Sequence, residues 1–527
     1  MFDVIIAHGT VVDGTGAPGF RSDVGVVGEK IEAIDDLNGA ETLRVIDATD
    51  MVVSPGFVDP HTHSEGDLLV NPQHANGLRQ GITTEILGLG GISFAPLSAP
   101  NYRTYRRWLA GILGDPPEDA DMSSVAAFRA SYHRKVAVNT AYLVPNGAIR
   151  LETAGFRSGR LAGKQLDHAK RLVREGLEQG AVGFSNTTVN YPGHWSDTAE
   201  LIELAKAVRE GGGVYVDASE PFAARRAYGT ADGVPEWLEI ARQSGVSLHF
   251  AHYRTSSKTA GRVGEIVQDR DEARAEGVDF TLDVYPYPTG STVPVTFLPS
   301  HIQNGGPDEI LKRLNDPSQR RSAVEHLESV RLAALQTMVL SYVACSPDLE
   351  GMSLPDVARQ RGISLGEALC SLLVENDLKV GYWGAPPDSV ALWRQVDRDS
   401  MELLARPDYM VCSDITPAGG LPHPRSYGAY PRFLGRLRRQ IGGLSLEQMV
   451  ERMTARPARR FGITQRGQIE KGYFADLVVF DPDRVIDTAT YDDPRQFPIG
   501  MPYVLVNGQV AVDQERCTGI MAGQAVP

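Results

Sequence analysis

Cysteine is scarce in this sequence of 527 residues, which has only four cysteines and none in a CxxC arrangement. So few thiols cannot provide a disulfide framework for a chain of this length, and their scarcity favours a reducing compartment. The first residues also lack a basic segment followed by a sustained apolar run, the pattern of an export signal. We therefore expect a cytoplasmic protein.

Long apolar runs and runs of positive charge are also missing. No window approaches 18 uninterrupted apolar residues, and we expect no membrane span. The chain has 52 basic and 66 acidic side chains, a formal net charge of −14, and no run of five basic residues. A surface of this kind offers no electrostatic basis for binding nucleic acid or an anionic membrane.

The two ends of the chain share one pattern, which is short apolar runs bounded by glycine and aspartate. It occurs in DVIIAHGTVVDG and DVGVVGEKIEAID near the start, and in KGYFADLVVFD and MPYVLVNGQVAVD near the end. Such runs are typical of short β-strands. We predict that residues 1–54 and 467–527 together form a small β-sandwich.

Between these ends, brief apolar strands alternate with helical periodicity, for example over residues 167–179, 197–210 and 264–276. Eight strands are predicted in chain order: GFVDPHTH, TTEILG, NTAYLVP, AVGFSN, GVYVDAS, SLHFAHYR, DFTLDVYPY and YMVCSD. Eight βα units predict an α/β protein with a (β/α)8 TIM-type barrel, at residues 55–295 and 406–466. Residues 296–405 are too long for one crossover and are predicted to be an insertion between strands seven and eight.

Four polar side chains are predicted at the carboxyl ends of barrel strands, where barrel enzymes have their active sites. His61 and His63 end the first strand, and residues two apart in an extended segment point to the same side. His252 ends the sixth strand and Asp414 ends the eighth. Three imidazoles and one carboxylate suit a borderline divalent cation such as zinc, which activates water for hydrolysis.

Each of these residues also has a simpler interpretation. An HxH pair occurs often by chance, and an aspartate after a strand is commonly a turn residue or a helix N-cap. If the barrel places the four together, Asp414 is both a metal ligand and the general base that later protonates a leaving amine. His249 is expected only to pack against its neighbours, and His74 is expected to be solvated.

The sequence resembles the amidohydrolase superfamily, and within it the D-aminoacylase (N-acyl-D-amino-acid deacylase) branch. The resemblance covers essentially the whole chain and rests on VSPGFVDPHTH, GITTEILG, GAVGFSNTTVNYPG, DVYPYPTGST, SDITPAG, PHPRSYGAYPRFLG and KGYFADLVVFDP. It implies the same barrel, terminal β-sandwich and insertion. It also implies hydrolysis of an N-acyl amide in a small-molecule substrate, with a preference for D-amino acids.

By this resemblance, His61 and His63 match the HxH metal ligands of the family. His252 matches its sixth-strand histidine, and Asp414 matches its catalytic aspartate. Two further positions depart from the family: Gly90 stands where a metal-binding cysteine is usual, and Ala218 replaces a fifth-strand histidine.

The two departures leave three arrangements open. One divalent ion, with zinc as the first expectation, is held by His61, His63 and Asp414. Either His252 or a nearby carboxylate such as Asp217 or Glu220 then completes the site. Alternatively, the acidic residues recruit a harder cation such as manganese or magnesium. Or the barrel works without metal.

The resemblance also predicts residues that line the substrate pocket. Arg425 in HPRSYG follows the eighth strand and is suited to pairing with a carboxylate, although a structural ion pair is equally consistent with its position. Tyr191, Arg254, Tyr285 and Ser291 fall where the family lines its pocket.

The sequence therefore predicts a hydrolase of carbon–nitrogen bonds other than peptide bonds, which cleaves an N-acyl amino acid or a similar small N-acyl compound. The alternative is a metal-free or single-metal member with other chemistry, such as a lyase, an isomerase or a hydrolase of lactones or cyclic amides. A non-catalytic scaffold is the third option. Retention of the three histidines with Asp414 argues against a scaffold. The oligomeric state is left open.

Overall fold

The computed structural model describes residues 1–187, 189–218 and 236–526. Its strands, in chain order, are β1 Phe2–Ala7, β2 Thr10–Val11, β3 Phe20–Arg21, β4 Asp23–Val27, β5 Lys30–Asp35, β6 Thr42–Asp47, β7 Val52–Pro55, β8 Phe57–Asp59, β9 Ile82–Leu87, β10 Asn139–Pro145, β11 Gly183–Asn186, β12 Val214–Asp217, β13 Ser247–Phe250, β14 Phe280–Val284, β15 Ser291–Thr292, β16 Met338–Val343, β17 Val380–Gly384, β18 Tyr409–Val411, β19 Leu477–Phe480, β20 Tyr503–Val506, β21 Gln509–Asp513 and β22 Arg516–Cys517.

The α-helices of the described residues, in chain order, are α1 Glu65–Val70, α2 Ala75–Leu78, α3 Ala99–Leu113, α4 Val125–Tyr132, α5 Asn146–Ala154, α6 Lys164–Glu178, α7 Thr198–Glu210, α8 Glu236–Ser244, α9 Val263–Ala275, α10 Ser300–Gln303, α11 Pro307–Asn315, α12 Pro317–Val330, α13 Leu332–Gln336, α14 Leu354–Arg361, α15 Leu365–Glu375, α16 Val390–Ala405, α17 Arg425–Pro431, α18 Arg438–Ile441, α19 Leu446–Met453 and α20 Ala455–Arg460. None of them is long and apolar enough to cross a membrane.

Eight parallel strands form the central sheet, in the order β8, β9, β10, β11, β12, β13, β14, β18. The first and last strands meet beyond their carboxyl ends, where Thr62 and Ile415 form a parallel bridge. These are the eight strands predicted from the sequence, and the predicted (β/α)8 barrel is confirmed. The closure is important for the site because it joins the segments that carry His61 and Asp414.

Helix α7 shows how the sequence supplies a capping group and an apolar face to a helix around the barrel. Asp197 caps α7, because its side chain accepts a hydrogen bond from the backbone N–H of Glu200 at 2.7 Å. The apolar face of α7, which includes Leu201 and Leu204, is buried against the barrel core. The predicted helix over residues 197–210 therefore agrees with the observed one.

The chain ends form two further sheets, as predicted. The N-terminal strands β1, β4, β5 and β6 form one of them. The other joins N-terminal β2, β3 and β7 to C-terminal β19–β22, through an antiparallel pair in which Val53 lies opposite Val479. Their facing aliphatic side chains, such as Ile6, Val26 and Leu505, make a separate buried cluster.

The insertion before β18 contains helices α10–α16 and a three-stranded antiparallel sheet of β15, β17 and β16. The sheet was not predicted from the sequence. The residue boundaries given above for the sandwich, barrel and insertion stay predictions.

One expectation was wrong: His74 is not solvated. Its side chain is buried, and its Nε2 lies 2.6 Å from Glu85 Oε1 on β9. His74 can be buried because the buried carboxylate of Glu85 pairs with its ring.

Candidate metal centre and active site

The four candidate ligands lie together at the carboxyl ends of the barrel strands. His61 and His63 follow β8, His252 follows β13, and Asp414 follows β18. The backbone N–H of Asp414 donates to the carbonyl of His61 at 2.9 Å, which holds the two segments side by side. We refer to these four residues as the histidine–aspartate cluster.

Three atoms of this cluster form a nearly equilateral triangle. His61 Nε2 lies 3.4 Å from His63 Nε2 and 3.4 Å from Asp414 Oδ1, and the distance from His63 Nε2 to Asp414 Oδ1 is 3.5 Å. The centre of such a triangle is about 2 Å from each corner, which matches the length of zinc–nitrogen and zinc–oxygen bonds. The donor set therefore fits a small divalent cation.

His252 packs against the ring of His61. The two imidazole rings are stacked with their centroids 4.9 Å apart. One donor atom each from His61, His252 and Asp414 lie within 4.8 Å of one another. The backbone of His252 has φ +38°, in the left-handed region that non-glycine residues rarely adopt.

The two imidazoles of the HxH pair have opposite pKa shifts. Burial, reinforced by the neighbouring cations, lowers the pKa of His63 to about 3, so its ring is neutral and keeps a lone pair for a ligand bond. Burial also disfavours a charge on His61, but Asp414 and Asp283 outweigh it and raise the pKa of His61. A cation at the triangle would compete with the proton that His61 attracts.

Asp414 is buried and forms an ion pair with Arg425, whose Nη1 lies 2.7 Å from Asp414 Oδ2. Burial by itself raises the pKa of Asp414, but Arg425 and the three imidazoles outweigh burial and lower it. The aspartate is therefore kept ionised, the form required of a metal ligand and of a general base.

Two of the predicted pocket arginines flank one tyrosine ring. The guanidinium carbons of Arg254 and Arg425 lie 3.9 Å and 4.7 Å from the ring centroid of Tyr285. Arg254 Nη2 also donates to the Tyr285 hydroxyl, and Arg425 Nη2 donates to the carbonyl of Ser291 at 3.2 Å. These four residues form a connected group beside Asp414.

Tyr191 is placed differently. Its ring packs against His194 and Trp195, with centroids 4.7 Å and 4.9 Å away, in the loop after β11. The neighbouring Asn190 donates to the carbonyl of Gly90 at 2.9 Å. Tyr191 is thus linked to the site through the segment around Gly90 and not through the arginines.

The two departures from the family lie at the expected places. A side-chain Cβ at Gly90 would lie 3.8 Å from His63 Cε1, so this residue borders the histidine–aspartate cluster. Ala218 directly follows β12 and is buried. Neither residue offers a donor atom. Asp217 ends β12 and is buried, and Glu220 lies outside the described residues.

Three buried residues near the cluster were missed by sequence reasoning. Asp283 on β14 accepts from His249 Nε2 at 2.9 Å, so His249 does more than pack. Asp283, Cys412 and His61 form a second group of donor atoms within 4.8 Å of one another. Burial and Asp283 raise the pKa of Cys412 well above its ordinary value, so it stays a thiol.

His423, two residues before Arg425, was also missed. The backbone N–H of Arg425 donates to His423 Nδ1 at 3.1 Å, so in the neutral ring Nε2 carries the proton. Burial, together with Arg425 and Arg254, lowers the pKa of His423 well below its ordinary value. His423 Nε2, which carries this proton, lies 3.0 Å from the hydroxyl oxygen of Tyr491.

Comparison with known proteins shows the family of this chain. The model of the amidohydrolase family matches residues 44–235 and 379–512. The chain belongs to the amidohydrolase family. It is 30% identical to the D-aminoacylase of Alcaligenes xylosoxydans xylosoxydans, over 100% of this amidohydrolase and 97% of that protein. It is 31% identical to an N-acyl-D-glutamate deacylase of the same organism, over 96% and 93% of the two chains.

Solved structures give the same relationship. A D-aminoacylase whose structure addresses one-metal activation and second-metal attenuation of a binuclear metal centre is 30% identical to this amidohydrolase, with a TM-score of 0.81 over 100% of both chains. The N-acyl-D-glutamate deacylase of Bordetella bronchiseptica, complexed with zinc and a phosphonate inhibitor, is 30% identical, with a TM-score of 0.82 over 100% of this chain and 99% of that one. The predicted hydrolase class, acting on carbon–nitrogen bonds other than peptide bonds, is confirmed.

Proposed function

We propose that this amidohydrolase cleaves the amide bond of a small N-acyl amino acid of D configuration, with one divalent cation, zinc, at the histidine–aspartate cluster. The observation that carries the proposal is the triangle of two imidazole nitrogens and one carboxylate oxygen, whose spacing fits one small cation. The names of the relatives support the substrate class. The absence of donor atoms at Gly90 and Ala218 supports a single ion.

A divalent cation in this position supplies an acidified water molecule and polarises the scissile carbonyl. His61, His63 and His252 would hold it as neutral imidazoles, together with Asp414. Nitrogen and carboxylate donors suit zinc.

Asp414 moves the proton in the proposed reaction. Its carboxylate accepts a proton from the attacking water and transfers it to the amide nitrogen as that nitrogen leaves as an amine. Arg425 keeps Asp414 ionised before the reaction, because its guanidinium is 2.7 Å from Oδ2. A carboxylate without this partner would gain a proton more easily in a buried site.

The arginine–tyrosine group beside Asp414 binds the substrate carboxylate in this proposal. Arg254 and Arg425 bring two positive charges to the ring of Tyr285, and this positive charge would attract the substrate carboxylate. Ser291 lines the same side, and Tyr191 lines the pocket next to the Gly90 segment.

The test is hydrolysis of matched N-acetyl-D-amino and N-acetyl-L-amino acids by wild-type enzyme and the D414N variant, with release of the free amine as the readout. We expect turnover of D substrates by the wild type. Because Asp414→Asn removes the proton acceptor, kcat should fall by about 10²- to 10⁴-fold.

Asp408→Asn is the matched control, because Asp408 precedes the same strand β18 at the opposite end of the barrel and pairs with Arg274 at 2.6 Å. It should keep wild-type kcat while losing some stability. Wild-type turnover by the Asp414 variant, or no release of amine from any N-acyl amino acid by metal-loaded wild-type enzyme, would contradict the proposal.

A further inference from the structure

We infer that Asp283 is a positioning residue of the metal centre, whose carboxylate orients the ring of His61 and the backbone of His252 at the same time. The inference rests on the proposed function, since it concerns the residues that would hold the cation. Asp283 lies in β14, is fully buried and neighbours His61 of the histidine–aspartate cluster.

The first contact is with the ring of His61. Asp283 Oδ2 lies 3.8 Å from His61 Nδ1, whereas the Nε2 atom of the same ring faces His63 and Asp414. A negative charge on the Nδ1 side favours the proton at Nδ1 and leaves the Nε2 lone pair directed at the triangle. Metal-binding histidines commonly donate the hydrogen of their second nitrogen to a carboxylate, which fixes the tautomer. At 3.8 Å, Asp283 acts on His61 through its charge and not through a hydrogen bond.

The second contact is with the main chain of His252. Asp283 Oδ1 accepts a hydrogen bond from the backbone N–H of His252 at 2.5 Å. His252 has φ +38°, an unfavourable conformation that persists only where the surroundings support it. The hydrogen bond fixes the direction in which His252 leaves β13, and thereby its stacking on His61.

Asp283 is itself held by His249. His249 Nε2 donates to Asp283 Oδ2 at 2.9 Å, and His249 Nδ1 lies 2.8 Å from Thr281 Oγ1. Because the ionised carboxylate only accepts hydrogen bonds, the proton is on Nε2 and the threonine hydroxyl donates to Nδ1. His249 and Thr281 are direct partners in the pairing of β13 with β14, so the sheet register positions the carboxylate.

The experiment compares metal affinity in the wild type and in D283N. Zinc binding is measured by competition with a chelator of known affinity, and the visible spectrum of the cobalt(II)-loaded protein reports the ligand geometry. Asparagine keeps the acceptor for the His252 N–H but removes the charge beside His61. We expect about 10- to 100-fold weaker zinc binding and an altered cobalt spectrum.

Asp476→Asn is the control, because Asp476 is also buried and accepts from Asn139, Arg466 and the N–H of Asn507, none of them in the cluster. Its zinc affinity should equal that of the wild type. If Asp283→Asn does not fold, Thr281→Val removes only the outer hydroxyl and should weaken zinc binding by about two- to tenfold.

The outcomes separate the two proposals. If the wild type binds zinc and the Asp283 variant, or the Thr281 variant in its place, binds it equally well with the same cobalt spectrum, the inference fails and the proposed function stands. If the wild type binds two ions and the Asp283 variant loses one, Asp283 is a ligand and the positioning role is overturned. A wild type that binds no divalent metal overturns the proposed function itself.

Discussion

Two residues without functional groups, Gly90 and Ala218, stand where the resemblance to the family implies a metal-binding cysteine and histidine. The backbone at Gly90 has φ +63°, and a Cβ built there would have Asn190 Nδ2 as its nearest neighbour at 3.4 Å. That distance is an ordinary van der Waals contact. A Cβ therefore fits at position 90, and the cost of a side chain there lies in the backbone conformation.

This leads to a prediction for the double variant Gly90→Cys with Ala218→His. It should bind a second equivalent of zinc, because it supplies a thiolate beside His63 and the fifth-strand imidazole that the resemblance to the family implies. The measurement is zinc per chain by elemental analysis after dialysis. Gly90→Ala is the matched control: it should cost about 1 kcal/mol of stability for the left-handed backbone and leave the zinc content unchanged. Unchanged zinc content in the double variant would contradict the prediction.

At the residue scale, the sequence predicted the residues that leave strand ends and missed those inside strands. His61, His63 and Asp414 could be located because the ends of parallel strands meet at one rim. Asp283 and His249 lie within strands, where their role depends on which strands are neighbours and in which register. His249 lies opposite Thr281 on the neighbouring strand, and the sequence of either strand alone does not specify that partner.

Among the structural elements, the junction of the first and eighth barrel strands is held by Asp59. Its Oδ1 accepts from the backbone N–H of His61 at 3.2 Å and from that of Ser413 at 3.1 Å. One buried side chain thus supports the segments that carry His61 and Asp414. Two backbone donors would be left without a partner if the side chain were shortened.

We predict a clear difference between two substitutions at Asp59. Asp59→Asn keeps the oxygen acceptor and should lower the free energy of unfolding by less than about 1 kcal/mol. Asp59→Ala leaves both N–H groups unsatisfied and should cost about 2–5 kcal/mol. Denaturant titration measures both values, and equal losses in the two variants would show that these hydrogen bonds are unimportant.

Helix α2 gives a prediction about pH, through His74 at its start. Burial disfavours the charged ring, but Glu85 and Asp67 outweigh burial and raise the pKa of His74 to about 10. This value is above that of an unfolded histidine, about 6.5. The charged His74 therefore stabilises the folded protein fully below pH 6.5, and this stabilisation is lost as the pH rises towards 10.

The wild type should have a higher free energy of unfolding than His74→Gln at pH 7. This difference should decrease between pH 7 and pH 9, by at most about 1.4 kcal/mol per pH unit. His168→Gln, at a partly exposed position on α6, should change stability by less than about 0.5 kcal/mol at either pH. A constant difference for His74→Gln across this range would exclude a charged His74 in the folded protein.

At the element scale, helices with apolar residues at helical spacing and buried strands could be predicted well. The helix predicted over residues 264–276 is observed at Val263–Ala275. The three-stranded sheet of the insertion could not be predicted, because β15 and β17 are separated by more than 80 residues. Such pairing depends on packing between distant segments.

For the whole molecule, the terminal sheets and the insertion account for the residues beyond the barrel, as the sequence predicted. Apolar strands at both ends pair with each other, as Leu477 does with Pro55, and the remaining excess lies in the insertion before β18. Four cysteines indicated a reducing environment, but the informative fact is that none of them is at position 90. The fold is therefore that of the family, while the metal centre proposed here has fewer candidate ligands than the resemblance implies.

The central claim is that one divalent cation at the histidine–aspartate cluster is sufficient for turnover. It is tested most directly by titrating the metal-free protein with zinc while measuring bound zinc and the rate of amine release from an N-acetyl-D-amino acid. The rate should rise in proportion to bound zinc and reach its maximum at one equivalent per chain. A maximum reached only at two equivalents, or full turnover by the metal-free protein, would contradict the claim.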